Sequence, residues 1–111
     1  LTAAGAALTG LPVGTPMAVG TGDEGYLAAL RRVCLEIQAF APGALVVALG
    51  LDAHEKDPYK GLAVTTPGFA AILAQVASLG LPTVLVQEGG YLSDDLGPNL
   101  ASALRGFESA A

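Results

Sequence analysis

Residues 82–91 read PTVLVQEGGY. Thr83 to Gln87 is a short apolar and β-branched run, the pattern of a strand covered on both faces in a parallel sheet. It ends in a charge, two glycines and a phenol. That ending either makes a tight turn or places Tyr91 where something must be touched.

Working outward, Ala44 to Leu49 is continuously apolar and predicts a second buried strand. Between the two lies an amphipathic segment. Thr66 is its expected N-cap, Pro67 its first helical residue, and Gly80 its end. Phe69, Ile72, Leu73, Val76 and Leu79 recur at helical spacing and form its core face. Before the strands, Tyr26, Leu27, Leu30, Val33, Cys34 and Ile37 predict a helix from about Asp23 to Phe40. Thr21 and Glu24 have capping-box spacing there, and Pro42-Gly43 stops it. A third, shorter helix is expected from about Pro98 to Phe107, with Leu100, Leu104 and Phe107 inward and Asp94 and Asp95 before its N-terminus. Residues 1–14 read as loop or frayed edge, Thr15–Val19 as a short strand, and Gly50–Thr65 as a long polar loop.

Strands alternating with helices, with no linker or repeat, predict an α/β layer with a parallel sheet. In such sheets ligands bind beyond the carboxyl ends of the strands. Two loops leave that edge: Gly50-Leu51-Asp52 and Glu88-Gly89-Gly90-Tyr91.

The bulk numbers narrow the class. With 111 residues the chain is one small domain. It is 52% hydrophobic with mean hydropathy +0.57, yet no apolar run approaches the roughly 18 to 20 residues of a membrane helix, so no membrane role is expected. A net charge of −5 with five Lys and Arg argues against a nucleic-acid partner. One cysteine excludes an internal disulfide and fits a reducing compartment, hence a cytoplasmic location. No signal-peptide pattern opens the chain.

Three local motifs invite chemistry. Gly20-Thr21-Gly22-Asp23-Glu24-Gly25 matches GxGxxG, but Asp23 and Glu24 would repel a pyrophosphate and no acidic residue follows about 20 positions on. Capping chemistry is the better reading. Cys34, on an apolar helix face and far in sequence from His54, reads as buried and inert. Asp52-Ala53-His54-Glu55-Lys56-Asp57 carries the only histidine. Asp52 and His54 offer two donors, short of the three a catalytic zinc usually takes, so a solvated turn is the plainer reading. Tyr91 is open between a packed tyrosine with its hydroxyl at the surface and a donor to a developing oxyanion. Gly89 and Gly90 would let a ligand approach the main chain.

Taken together, LVVALGLDAHEKDP (45–58), an amphipathic helix and LPTVLVQEGGY (81–91) resemble the last third of the zinc-dependent histone deacetylase and acetylpolyamine amidohydrolase family. GTGDEGYLAAL (20–30) resembles the helix before those motifs. The resemblance covers about residues 14 to 110 and implies a three-layer, parallel-sheet arginase/deacetylase-like fold, of which residues 1–111 are a C-terminal part. It implies that Asp52 is a zinc ligand and that Tyr91 hydrogen-bonds the substrate carbonyl and stabilises the tetrahedral intermediate. Gly89 and Gly90 would line the acyl pocket, and Tyr59 its rim. Asp52-Ala53-His54 mimics the family's D-x-H ligand pair, but its surroundings match the G-x-D context, so His54 receives no metal role.

The implied activity is hydrolysis of an N-acetylated amine, acetyl-lysine or acetylpolyamine, with Zn2+ as cofactor; a homo-oligomer is left open. The family's adjacent histidines and its D-x-H pair do not occur in the 111 residues, which alone are expected to be inactive. Gly14-Thr15-Pro16 stands where an Asn-x-Pro is expected. The competing readings are a non-catalytic α/β binding or assembly module and a nucleotide-binding fragment.

Overall fold

The computed structural model describes residues 17–110. The readings of residues 1–14 and of Gly14-Thr15-Pro16 lie outside them. In chain order the elements are helix α1 (Asp23–Phe40), strand β1 (Leu45–Gly50), helix α2 (Thr66–Ala77), strand β2 (Thr83–Glu88) and helix α3 (Leu96–Ala110). A single 3-10 turn, Leu51–Ala53, follows β1.

β1 and β2 pair in parallel, from Leu45 opposite Thr83 to Gly50 opposite Glu88. The first strand expected at Thr15–Val19 is not seen among the described residues. Met17 and Ala18 are irregular and Val19-Gly20 turns, while Gly22 makes a single parallel bridge to Ala63.

The core forms on one face of the sheet. Leu45, Val47 and Leu49 alternate inward on β1 and meet Leu30, Cys34 and Ile37 of α1 and Phe69, Ile72, Leu73 and Val76 of α2. Fully burying a side chain of this size stabilises by about 1.5–3 kcal/mol. Among the described residues the other sheet face is uncovered. Val46 and Val84 sit opposite one another, Val86 is next along, and all three are exposed, Val84 by 58%. The expectation of strands covered on both faces is therefore met on one face only.

Several local readings are corrected. The N-cap of α2 is Thr65, one residue earlier than expected, and its hydroxyl accepts from Gly68 N–H at 3.1 Å. Pro67 falls second in the helix, still where its missing N–H costs nothing. The Thr21–Glu24 capping box does not form. Gly22 caps α1 without a side-chain bond, and the Thr21 hydroxyl donates to the Ala18 carbonyl instead. Asp23 reaches away, accepting from Thr65 N–H at 2.8 Å and from the Thr65 hydroxyl, and so ties the start of α1 to the start of α2.

On α3 Leu100 and Phe107 pack partly buried against the core as expected, but the inward face departs from the expected one at Leu104. Leu104 is exposed, whereas Asn99, Ala103 and Gly106 are buried. Small residues win because α3 lies close against α2, where a Cβ on Gly106 would collide with the Ala70 main chain.

Candidate functional site

Because Gly50 and Glu88 are paired across the ladder, the loops after β1 and β2 leave the same sheet edge side by side. Asp52 lies in the 3-10 turn after β1 and is solvent-exposed. Two glycines leave it room. A Cβ on Gly50 would stand 2.7 Å from its Oδ1, and one on Gly89 would stand 2.9 Å from the same oxygen. The chain from β2 thus passes directly beside the Asp52 carboxylate.

Gly89 and Gly90 both take left-handed backbone angles, φ +64 and +91. At Gly90 a Cβ would also press on Leu96 and Leu51, so a side chain there is excluded twice over. This bend delivers Tyr91, 54% exposed, to the mouth of a cavity of about 140 Å³. His54, Asp57 and Asn99 are among its lining residues. The Tyr91 hydroxyl donates to the Tyr59 hydroxyl at 2.9 Å, and the rings sit 5.7 Å apart at 48°. That hydrogen bond pushes the Tyr91 phenol above its ordinary range, and the negative charge of Asp57 acts in the same direction.

Two features of this edge departed from the sequence reading. The segment 50–65 is not simply a solvated loop. His54 is 6% exposed, stacks near Phe69 at 6.3 Å, and bridges to Val64. Asp57, also 6% exposed, accepts from Tyr59 N–H at 3.0 Å, and its own carbonyl accepts from Lys60 N–H. Asp57-Pro58 is a turn-initiating pair, and that signal could have marked Asp57 as the residue that sets Tyr59. Helical spacing marks Tyr26 as core alone. It is partly buried, and the Asp52 charge adds to the burial that pushes its phenol up, which places it near the site. Helical spacing gave no means to separate that role from packing.

Asp52 fits a metal ligand of the oxygen type: an exposed carboxylate at a strand tip with glycine on both sides. Among the described residues no group of three or more His, Cys, Asp or Glu could hold an ion. Nor is any helix among the described residues long and apolar enough to cross a membrane.

The histone deacetylase domain matches residues 3–107. This chain belongs to that family. As a histone deacetylase-family chain it is 38% identical over 96 residues to acetylpolyamine amidohydrolase 1 of Pseudomonas aeruginosa, covering 86% of its own length and 28% of that protein. It is 40% identical over 98 residues to the acetylpolyamine amidohydrolase of Burkholderia pseudomallei, covering 88% and 29%. The crystal structure of an acetylpolyamine aminohydrolase from Burkholderia pseudomallei superposes with a TM-score of 0.84 at 39% identity, covering 88% of this chain and 29% of that one. The histone deacetylase Clr3 superposes with a TM-score of 0.74 over 85% of this chain and 16% of its own; at 23% identity it speaks to the fold alone. The deacetylase-family chain therefore has the family's α/β, parallel-sheet fold, and it spans under a third of the length of these relatives.

Proposed function

We propose that the protein carrying this chain is a zinc-dependent amidohydrolase that removes acetyl groups from N-acetylated amines, and that its substrates are acetylpolyamines ahead of acetyl-lysine. The observation that carries the reading is the shared strand edge, where Gly89 passes against the Asp52 carboxylate two residues before Tyr91. The preference for acetylpolyamines is supported by relatives of that name at 35–40% identity. The net charge of −5 and an exposed aromatic pair also suit a cationic amine.

In this reading Asp52 is one ligand of the zinc. When bound, the metal polarises an amide carbonyl and acidifies a water. The chain's own residues do the rest of what these residues contribute. The two left-handed glycines keep the main chain close to a small acyl group, with no Cβ in the way. Tyr91, on the exposed bend after them, donates to the acyl oxygen a hydrogen bond that strengthens as charge develops there. Such donors are worth about 2.7–4 kcal/mol, or a factor of 10² to 10³ in turnover. Tyr59 stands beside it at the rim. The reading also carries a cytoplasmic location, supported by the single, buried, unpaired cysteine.

The test is made on the intact zinc-loaded protein. One zinc per subunit is expected, with Asp52→Ala lowering metal content and Tyr91→Phe lowering kcat on acetylpolyamines by about 10² or more. Undiminished turnover in the Tyr91→Phe protein would sink the proposal.

A further inference from the structure

Tyr91 is an exposed side chain on a two-glycine bend, and such a residue has little to fix its ring. Among the described residues its hydroxyl has one hydrogen-bond partner, the Tyr59 hydroxyl at 2.9 Å. The rings also touch, 5.7 Å between centroids at a tilt of 48°, a favourable aromatic arrangement. Tyr59 is itself 77% exposed, so its burial does not hold it either. What holds it is the turn 57–60. Buried Asp57 accepts from Tyr59 N–H at 3.0 Å, Asp57 N–H donates to the His54 carbonyl, and Lys60 N–H closes on the Asp57 carbonyl. A chain of contacts therefore runs from the tip of β1 through His54, Asp57 and Tyr59 to the Tyr91 hydroxyl.

We propose that Tyr59 is the positioning residue for Tyr91, an inference that rests on the amidohydrolase reading above. Before substrate arrives, the Tyr59 oxygen accepts the Tyr91 hydrogen and fixes the ring. When the acyl oxygen takes that hydrogen bond, the Tyr59 hydroxyl rotates and donates to a lone pair of the Tyr91 oxygen. Only hydroxyl hydrogens swing; no bond is made or broken. The result is a two-phenol relay, Tyr59 to Tyr91 to the acyl oxygen, in which each hydrogen bond polarises the next. A merely rim-lining Tyr59 would touch substrate and act on KM. A positioning Tyr59 acts on kcat, and only while Tyr91 has a hydroxyl to orient.

The experiment uses the intact zinc-loaded protein and the variants Tyr59→Phe, Tyr91→Phe and the double variant, with carbon-13 labelling of the tyrosine ring carbon that bears the hydroxyl. Tyr59→Phe keeps the ring and removes one hydroxyl. It is expected to lower kcat by about threefold to tenfold, the scale of one hydrogen bond, with KM within about twofold. In the Tyr91→Phe background it is expected to cost nothing further, as for two groups acting as a unit. The Tyr91 resonance, assigned by its loss in Tyr91→Phe, is expected to shift in Tyr59→Phe, and this arm reads out whether or not turnover is measurable. An unchanged Tyr91 resonance, or a change in KM alone, overturns the positioning role. Either outcome leaves the amidohydrolase reading standing, which falls separately if Tyr91→Phe turns over normally.

Discussion

Cys34 is buried in the core on α1, as its place on an apolar helix face implies, and burial pushes its thiol up, partly offset by a hydrogen bond from Gln75. The consequence for stability has a definite sign. Between the ordinary thiol range and the raised folded value, the unfolded chain has lost the proton and the folded chain has kept it. Stability is therefore fully present below the ordinary thiol pKa and is lost as pH rises through the raised one. Chemical denaturation from pH 7 upward should show this decline, and Cys34→Ala should flatten it while lowering stability at pH 7. His54 is the opposite case. Its polar neighbours in sequence read as a solvated turn, yet the ring is buried beside Phe69. Burial there is imposed by the bridge to Val64, a contact ten residues away that local pattern does not contain.

Elements were legible where one apolar stripe settles the matter. α1 was expected over its observed span, and both strands were placed to within a residue, because Leu45–Leu49 and Thr83–Val86 leave no other reading. Strand and helix ends were less so. The N-cap of α2 moved from Thr66 to Thr65 because both are capping residues, and only the partner Asp23 chooses between them. The buried face of α3 was legible in part: Leu100 and Phe107 pack against the core, while the fully buried positions are Asn99, Ala103 and Gly106. Leu104 outranks Gly106 on any hydrophobic pattern, but close approach to α2 favours the smaller residue. This yields a substitution whose sign runs against propensity. Within a helix Gly→Ala normally stabilises by about 0.5–1 kcal/mol. Gly106→Ala should instead destabilise, by about 1–3 kcal/mol as an overpacked contact, because its methyl meets the Ala70 carbonyl. Thermal unfolding of the variant checks it, and a higher Tm would mean that the two helices separate more easily than their packing indicates.

At the scale of the whole molecule, the described residues bury one face of the sheet and leave the other exposed. Val46, Val84 and Val86 form an exposed apolar face in register across the two strands. Such a face on a two-stranded sheet is a liability for a chain on its own. The isolated 111 residues are expected to self-associate, and Val84→Thr with Val86→Thr should reduce that association in size-exclusion chromatography. In the full-length protein the same pair should lower stability, by about 1 kcal/mol or more, if the face is packed there. The parallel layer and the shared edge from which both loops leave were legible from the two strands. Which face stays open was not, since continuous apolar runs mark both faces for burial alike.

The one-rung pairing of Gly50 with Glu88 has a further effect on how this edge tolerates change. The span between Asp52 and Tyr91 is ruled by the ladder, not by the 38 residues that join them. Extra residues spliced in around Gly80, at the far end of the sheet, would bulge outward and leave the carboxylate and the phenol in step. Dropping one residue from within Thr83–Glu88 would turn every later side chain over and carry the glycine bend away from Asp52.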